Sequence, residues 1–190
     1  MALSSVWRCC VVLVLLLGTL SLGCERLQLQ QILNTHTLSK LNEMGGRIPR
    51  QCVRERLSLK TKPLNLVKLS EGLPSQDRIQ IVHQTLRHLT KIYSMNLGSV
   101  AWPRDKVETF RLLLNGQLGE LEECVRKPGS VSRPRRNASI HKYFKKLRKF
   151  LKQKRFSYCA WEIIRAETRA RLQQILFITA KIRREIQDFP

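Results

Sequence analysis

Ile140-His141-Lys142-Tyr143-Phe144-Lys145-Lys146-Leu147-Arg148-Lys149-Phe150-Leu151 is the stretch that decides the fold class. Its apolar residues fall at 140, 143, 144, 147, 150 and 151, the alternating three- and four-residue spacing of one helix face. Between them stand Lys, Arg and His. Such a helix has an apolar stripe that something else must cover. Toward the C-terminus the same period recurs as Trp161, Ile164, Thr168, Leu172, Ile175, Thr179, Ile182 and Ile186, in a segment from Cys159 or Ala160 to about Gln187. Toward the N-terminus, Val107, Phe110, Leu114, Leu118 and Leu121 follow Pro103, which suits a first helical turn. Ile79, Val82, Leu86, Leu89 and Tyr93 follow the N-cap candidate Ser75, in a helix ending near Gly98. Leu29, Ile32, Leu33 and Leu41, with His36 as a weak member, mark a first helix over 25–44 that Gly45-Gly46 stops.

Five amphipathic helices without a strand pattern predict an all-α bundle. A chain of 190 residues with 43% hydrophobic content is long enough for one core, and 6% aromatic residues argue against an all-β sandwich. Residues 47–75 lack clear periodicity and carry Pro49, Pro63 and Pro74. A connection that long is unusual in a compact domain and is often functional. It lets the first two helices run in the same direction, as in long-chain cytokine bundles. Residues 127–139 read as a loop and hold the sequon Asn137-Ala138-Ser139.

Arg8 followed by the apolar run 9–17, with Ser21 and Gly23 at cleavage-site spacing, predicts a signal peptide over residues 1–23. A signal anchor is the alternative, and the apolar run is short for one. The mature domain is then 24–190, extracellular, with Cys24, Cys52, Cys124 and Cys159 remaining. Four cysteines in an oxidising compartment predict two disulfides. A zinc site is the poorer reading, since no CxxC spacing occurs. With the first helix pointing up, the third and fifth point down. Cys24 and Cys124 then meet at the bottom, Cys52 and Cys159 at the top.

No phosphate loop, HExxH, GxSxG or dinucleotide fingerprint is present, so no enzyme, cofactor or metal is expected. The expected activity is binding.

Ser157-Tyr158-Cys159-Ala160-Trp161-Glu162-Ile163-Ile164-Arg165-Ala166-Glu167 resembles the C-terminal signature of type I interferons. Lys142-Tyr143-Phe144, Leu151-Lys152-Gln153-Lys154, Ala101-Trp102 and Leu121-Glu122-Glu123-Cys124 are also similar to that family, as is the order of the four cysteines. The resemblance covers almost the whole mature chain, densely over 99–170 and thinly over 25–75. It implies a five-helix antiviral cytokine that bridges a two-chain cell-surface interferon receptor and triggers JAK–STAT signalling. It also implies a high-affinity receptor face on the first long loop and last helix, carried here by Val53, Arg56, Arg165, Ala166 and Arg169. The helical wheel directs Arg165, Ala166, Arg169, Ala170 and Gln173 away from the apolar stripe. The chain departs from the family pattern at Arg169-Ala170 and at Pro49-Arg50. By position more than residue type, a second, low-affinity face would involve Thr90, Lys91, Lys106, Arg111 and His141. Trp102 and Trp161 read as core.

The net charge of +21 comes from 35 Lys+Arg against 14 Asp+Glu. Eleven of those basic residues lie between Arg133 and Arg155, with no acid among them. Lys145, Lys146, Lys149 and Lys152 sit off the apolar stripe and predict affinity for heparan sulfate or another polyanion; a solvated, solubilising face is the plainer alternative. No aromatic platform interleaves the charges, so nucleic acid is not an expected partner. Membrane insertion is not expected either, although an antimicrobial helical protein is the rival functional class.

Overall fold

The computed structural model describes residues 27–125 and 134–187. Among them are seven helices and no strand: α1 over residues 27–44, α2 Val53–Ser58, α3 Leu66–Ser70, α4 Ser75–Tyr93, α5 Arg104–Val125, α6 Pro134–Gln153 and α7 Tyr158–Gln187. The five long ones are the five that the periodicity predicts. The signal-peptide segment and Cys24 lie outside the described residues.

Side-chain contacts give the helix directions. Gln30 of α1 bonds Gln117 of α5 at 3.0 Å, and Glu43 pairs with Lys106 at 3.2 Å, so α1 and α5 are antiparallel. Gln76 bonds the carbonyl of Cys124, while Tyr93 stacks edge-on against Phe110, so α4 and α5 are antiparallel too. The first two long helices therefore run the same way. Arg78–Glu185 at one end and Tyr93–Thr168 at the other set α7 antiparallel to α4. α6 lies against α4 and α7, with His88 stacked on Phe144 and Tyr143 bonded to Glu167.

All six apolar residues of the α6 stripe are buried, as are the predicted stripe of α4 and that of α7 through Ile182. α1 departs from expectation. Leu29, Ile32 and His36 are exposed and Leu33 is only half-buried. The face turned inward carries Leu27, Gln30, Asn34, Thr37, Leu41 and Met44. Three of these six are polar, so an apolar stripe misses the face. Each has a partner: Gln30 donates to Gln117, Gln117 donates to Thr37 at 2.5 Å, and Asn34 donates to the Leu172 carbonyl at 2.9 Å. Each such hydrogen bond contributes about 1 kcal/mol, while the Gln30 Oε1 and Asn34 Oδ1 oxygens are buried without a partner among the described residues, which offsets part of that gain.

The long connection is not structureless. It forms a 3-10 turn at Arg50–Cys52, then α2, an extended run over residues 59–65, and α3. It descends alongside α7: Cys52 bonds Cys159, Arg56 meets Glu167, the Leu64 carbonyl accepts from Arg171, and the Leu66 amide donates to Gln174. We call residues 45–74 the strap. It returns the chain from the top of α1 to the bottom, where α4 can start upward.

Two boundaries differ from the sequence reading. α4 stops at Tyr93, five residues before Gly98. α6 begins at Pro134, inside the stretch read as loop, because proline's fixed φ and missing N–H suit the first helical position. The sequon thus falls in the first turns of α6, with Ala138 and Ser139 exposed; the Asn137 side chain lies outside the described residues.

The Cys52–Cys159 disulfide joins strap and α7 at the expected end. Cys124 is half-buried near the end of α5. The bridge spans 107 residues, for which chain entropy alone gives about 4–5 kcal/mol. Replacing Cys52 and Cys159 together by Ala is expected to cost about 2–4 kcal/mol in urea unfolding, with helix content kept at low temperature. An unchanged midpoint would show that packing alone holds the strap.

Candidate functional site

Three successive turns of α7 organise the surface. Glu162 is fully buried, accepting from Trp102 Nε1 on Oε1 at 2.6 Å and from Arg165 on Oε2 at 2.6 Å. Arg165 also donates from Nη1 to the Gly45 carbonyl and from Nη2 to the Gly46 carbonyl, each at 2.6 Å. This corrects the sequence reading of Arg165 as a solvent-facing contact: it is 2% exposed. The wheel puts residue 165 at the margin of the apolar stripe, and the chain leaving α1 covers that margin. Glycine at 45 leaves room for this, since a Cβ there would lie 3.2 Å from the guanidinium and would have to push it aside by a few tenths of an ångström. Tyr93, Trp102, Trp161 and Phe110 pack beneath as an aromatic cluster, so both tryptophans are core as expected. Burial raises the Tyr93 phenol well above its ordinary range.

One turn on, Glu167 gathers the other partners. It accepts from the Tyr143 hydroxyl at 2.6 Å and lies 3.6 Å from Arg56 and 4.0 Å from Arg171. Arg171 stands over the Tyr143 ring at 5.3 Å. Burial holds the Tyr143 phenol neutral, as a donor. Arg56 therefore meets Glu167, not Arg165; the two arginines expected on one face occupy different sides of α7.

What remains outward is a stripe of α7 at i, i+4, i+7 and i+11: Ala166, Ala170, Gln173 and Phe177, the last 51% exposed. Arg169 is half-buried beside it. Docked on the other flank of α7, α2 presents Val53 at 52% and Leu57 at 82% exposure, with Arg56 between them. Sequence reasoning missed Phe177 and Leu57. The spacing of Phe177 from Ala166 and Ala170 was the available signal for the first; nothing local marked Leu57.

The second set does not converge. Lys91 and His141 lie along the α4–α6 border, where His141 meets His88 edge-on at 5.5 Å. Thr90 is half-buried, with its hydroxyl oxygen buried. Lys106 is drawn to Glu43 of α1, and Arg111 pairs with Glu108. Lys145, Lys146, Lys149 and Lys152 are all exposed, as expected. Among the described residues no group of three or more His, Cys, Asp or Glu could hold a metal, and no helix is long and apolar enough to cross a membrane.

A bundle with a disulfide-fixed apolar and basic face defines a helical binding protein. The family described as Interferon alpha/beta domain matches residues 27–182. Human interferon alpha-7 is 30% identical over 163 residues, covering 83% of this chain and 85% of that protein. Interferon a3 of Oncorhynchus mykiss is 30% identical over 151 residues, covering 79% and 81%. The solved structure of zebrafish interferon 1 superposes with a TM-score of 0.71 at 29% identity, covering 84% of this chain and 99% of that one. The chain belongs to the type I (alpha/beta) interferon family. It is thus an antiviral cytokine by family and not an enzyme.

Arg165→Ala should cost about 3–5 kcal/mol of stability, because it leaves the buried Glu162 carboxylate without its counter-charge. Arg165→Lys should recover only part, since one ammonium cannot span the carboxylate and two carbonyls as the planar fork does. Urea unfolding followed by circular dichroism reads this; a wild-type midpoint for Arg165→Ala would return Arg165 to the surface.

His88 gives a pH prediction. Burial, then Arg148 and His141, lower its pKa from 6.5 to about 4. The unfolded chain binds that proton first, so stability is full above pH 6.5 and falls as pH drops toward 4. His88→Gln should flatten the thermal midpoint across that window; a profile with the wild-type slope would assign the loss elsewhere.

Proposed function

We propose that residues 1–23 are a cleaved signal peptide and that the secreted domain 24–190 bridges a two-chain type I interferon receptor, starting JAK–STAT signalling. One observation carries this reading: the Cys52–Cys159 disulfide and the Arg56–Glu167 pair dock α2 beside the outward stripe of α7. That makes one pre-ordered surface of Val53, Arg56, Ala166 and Arg169, extended by Leu57 and Phe177. Large exposed apolar groups beside small residues and arginine are the composition of an interface centre. In this reading Arg165 serves the face from inside, by holding the start of the strap.

Thr90, Lys91, Lys106, Arg111 and His141 are proposed for the second receptor chain on α4, α5 and α6. We also propose that Cys24 bonds Cys124, that Asn137 is glycosylated, and that the α6 lysines bind heparan sulfate. The exposure of all four of those lysines supports the last.

Arg56→Ala should weaken binding to the isolated high-affinity receptor ectodomain by about 1–3 kcal/mol. It should leave stability nearly unchanged, since its side chain is 56% exposed. Ala166→Arg should weaken binding at least as much by blocking close approach. Surface plasmon resonance with both variants is the test; unchanged affinity in both would move the receptor face off this surface.

A further inference from the structure

We propose that the polyanion site is two-walled: a sulfated glycosaminoglycan lies in the cleft between α6 and the extended part of the strap, with Lys60 and Lys62 as ligands alongside Lys142, Lys146 and Lys149. This rests on the reading that α6 binds heparan sulfate and adds a second wall to it.

Two grooves flank the strap crossing. One is lined by Ser58, Leu59, Lys60, Lys146, Lys149 and Gln153, with Phe150 at its base. The other is lined by Thr61, Lys62, Pro63, Ser139, Lys142 and Lys146. Lys146 lines both, and its ammonium lies 3.4 Å from the Lys60 carbonyl. Lys60 and Lys62 are exposed, as are the α6 lysines. The strap is held in this position independently of any ligand, because Leu64 is buried and its carbonyl accepts from Arg171.

The charge arithmetic points to a polyanion. Residues 56–70 and 124–161 contain no Asp or Glu, so neither wall brings an acid from its own segment. Exposed like charges packed across a cleft repel one another, and a bound polyanion both relieves that repulsion and releases counterions. On α6 the lysines recur once per turn, about 5 Å apart, and residues 142–152 give a track of about 15 Å. A linear chain with repeated sulfates fits such a track.

The same geometry disfavours the other polyanions. The apolar side chains of α6 are spent in the core, leaving nothing to enter a bilayer. Tyr143 and Phe150, the aromatic residues at the cleft, are buried and offer no stacking platform for bases.

The test uses the secreted chain, a heparin-derived oligosaccharide as probe, and binding measured over a salt series. Lys60→Gln/Lys62→Gln and Lys142→Gln/Lys149→Gln should each lower the slope of log affinity against log salt by about one per lysine removed. The oligosaccharide should also slow amide hydrogen exchange over residues 59–64 in the unmodified chain. A slope unchanged by the strap pair but lowered by the α6 pair overturns the two-walled site and leaves the α6 reading standing. Slopes unchanged in both pairs overturn both. Tighter binding to phosphatidylserine vesicles or single-stranded DNA than to the oligosaccharide overturns the sulfated-chain assignment.

Discussion

The guanidinium of Arg165 joins three parts of the chain that are far apart in sequence. It neutralises Glu162 on its own helix and ties both carbonyls of Gly45-Gly46, where α1 ends and the strap begins. Through the other carboxylate oxygen of Glu162 it reaches Trp102, at the entrance to α5. Burying an ion pair costs desolvation energy that Coulomb attraction alone seldom exceeds. Here the remaining lone pairs and N–H groups are also used, which makes the arrangement specific. Without it, the first residues of the strap would lose their hydrogen bonds to α7, and, among the described residues, the chain between Asn34 and Cys52 would have no polar tie to that helix at the α1 exit.

From that anchor the strap is stapled to α7 at descending levels, covalently at Cys159 and then by Glu167, Arg171 and Gln174. This path sets the parallel α1–α4 topology, since it spends the connection in returning to the bottom of the bundle. It also positions two surfaces at once. Its first part puts α2 beside the outward stripe of α7, and its extended part forms a basic wall facing α6. The two surfaces lie on successive segments of one connection, which is why a long loop in a compact domain is worth its ordering entropy.

α6 was readable because the stripe it buries is wholly apolar and its solvent face charged, and α4 because seven of its ten buried residues are apolar and include the whole predicted stripe, so periodicity and burial agree. α1 was not, because its inward face is half polar. Gln30, Asn34 and Thr37 are buried only because Gln117 and the Leu172 carbonyl stand opposite, and those partners lie about 80 to 140 residues away. Local pattern therefore chose Leu29 and Ile32, which face water.

The amino-acid sequence by itself determined the five long helices, the core of α4, α6 and α7, the Cys52–Cys159 pairing and, through the Cys159-Ala160-Trp161-Glu162 signature, the family; the short helices α2 and α3 it did not show. The helices, core and family rest on period and local motif; the pairing rests on the helix directions that the long connection allows. Only the tertiary structure decided the side of each charged residue at a stripe margin. Arg165 and Arg169 are one turn apart on the wheel, yet one is sealed by Gly45 and Gly46 while the other stays half-exposed. A margin position is buried or open according to what packs over it. The residues that do so here come from a helix exit 120 residues earlier in the chain.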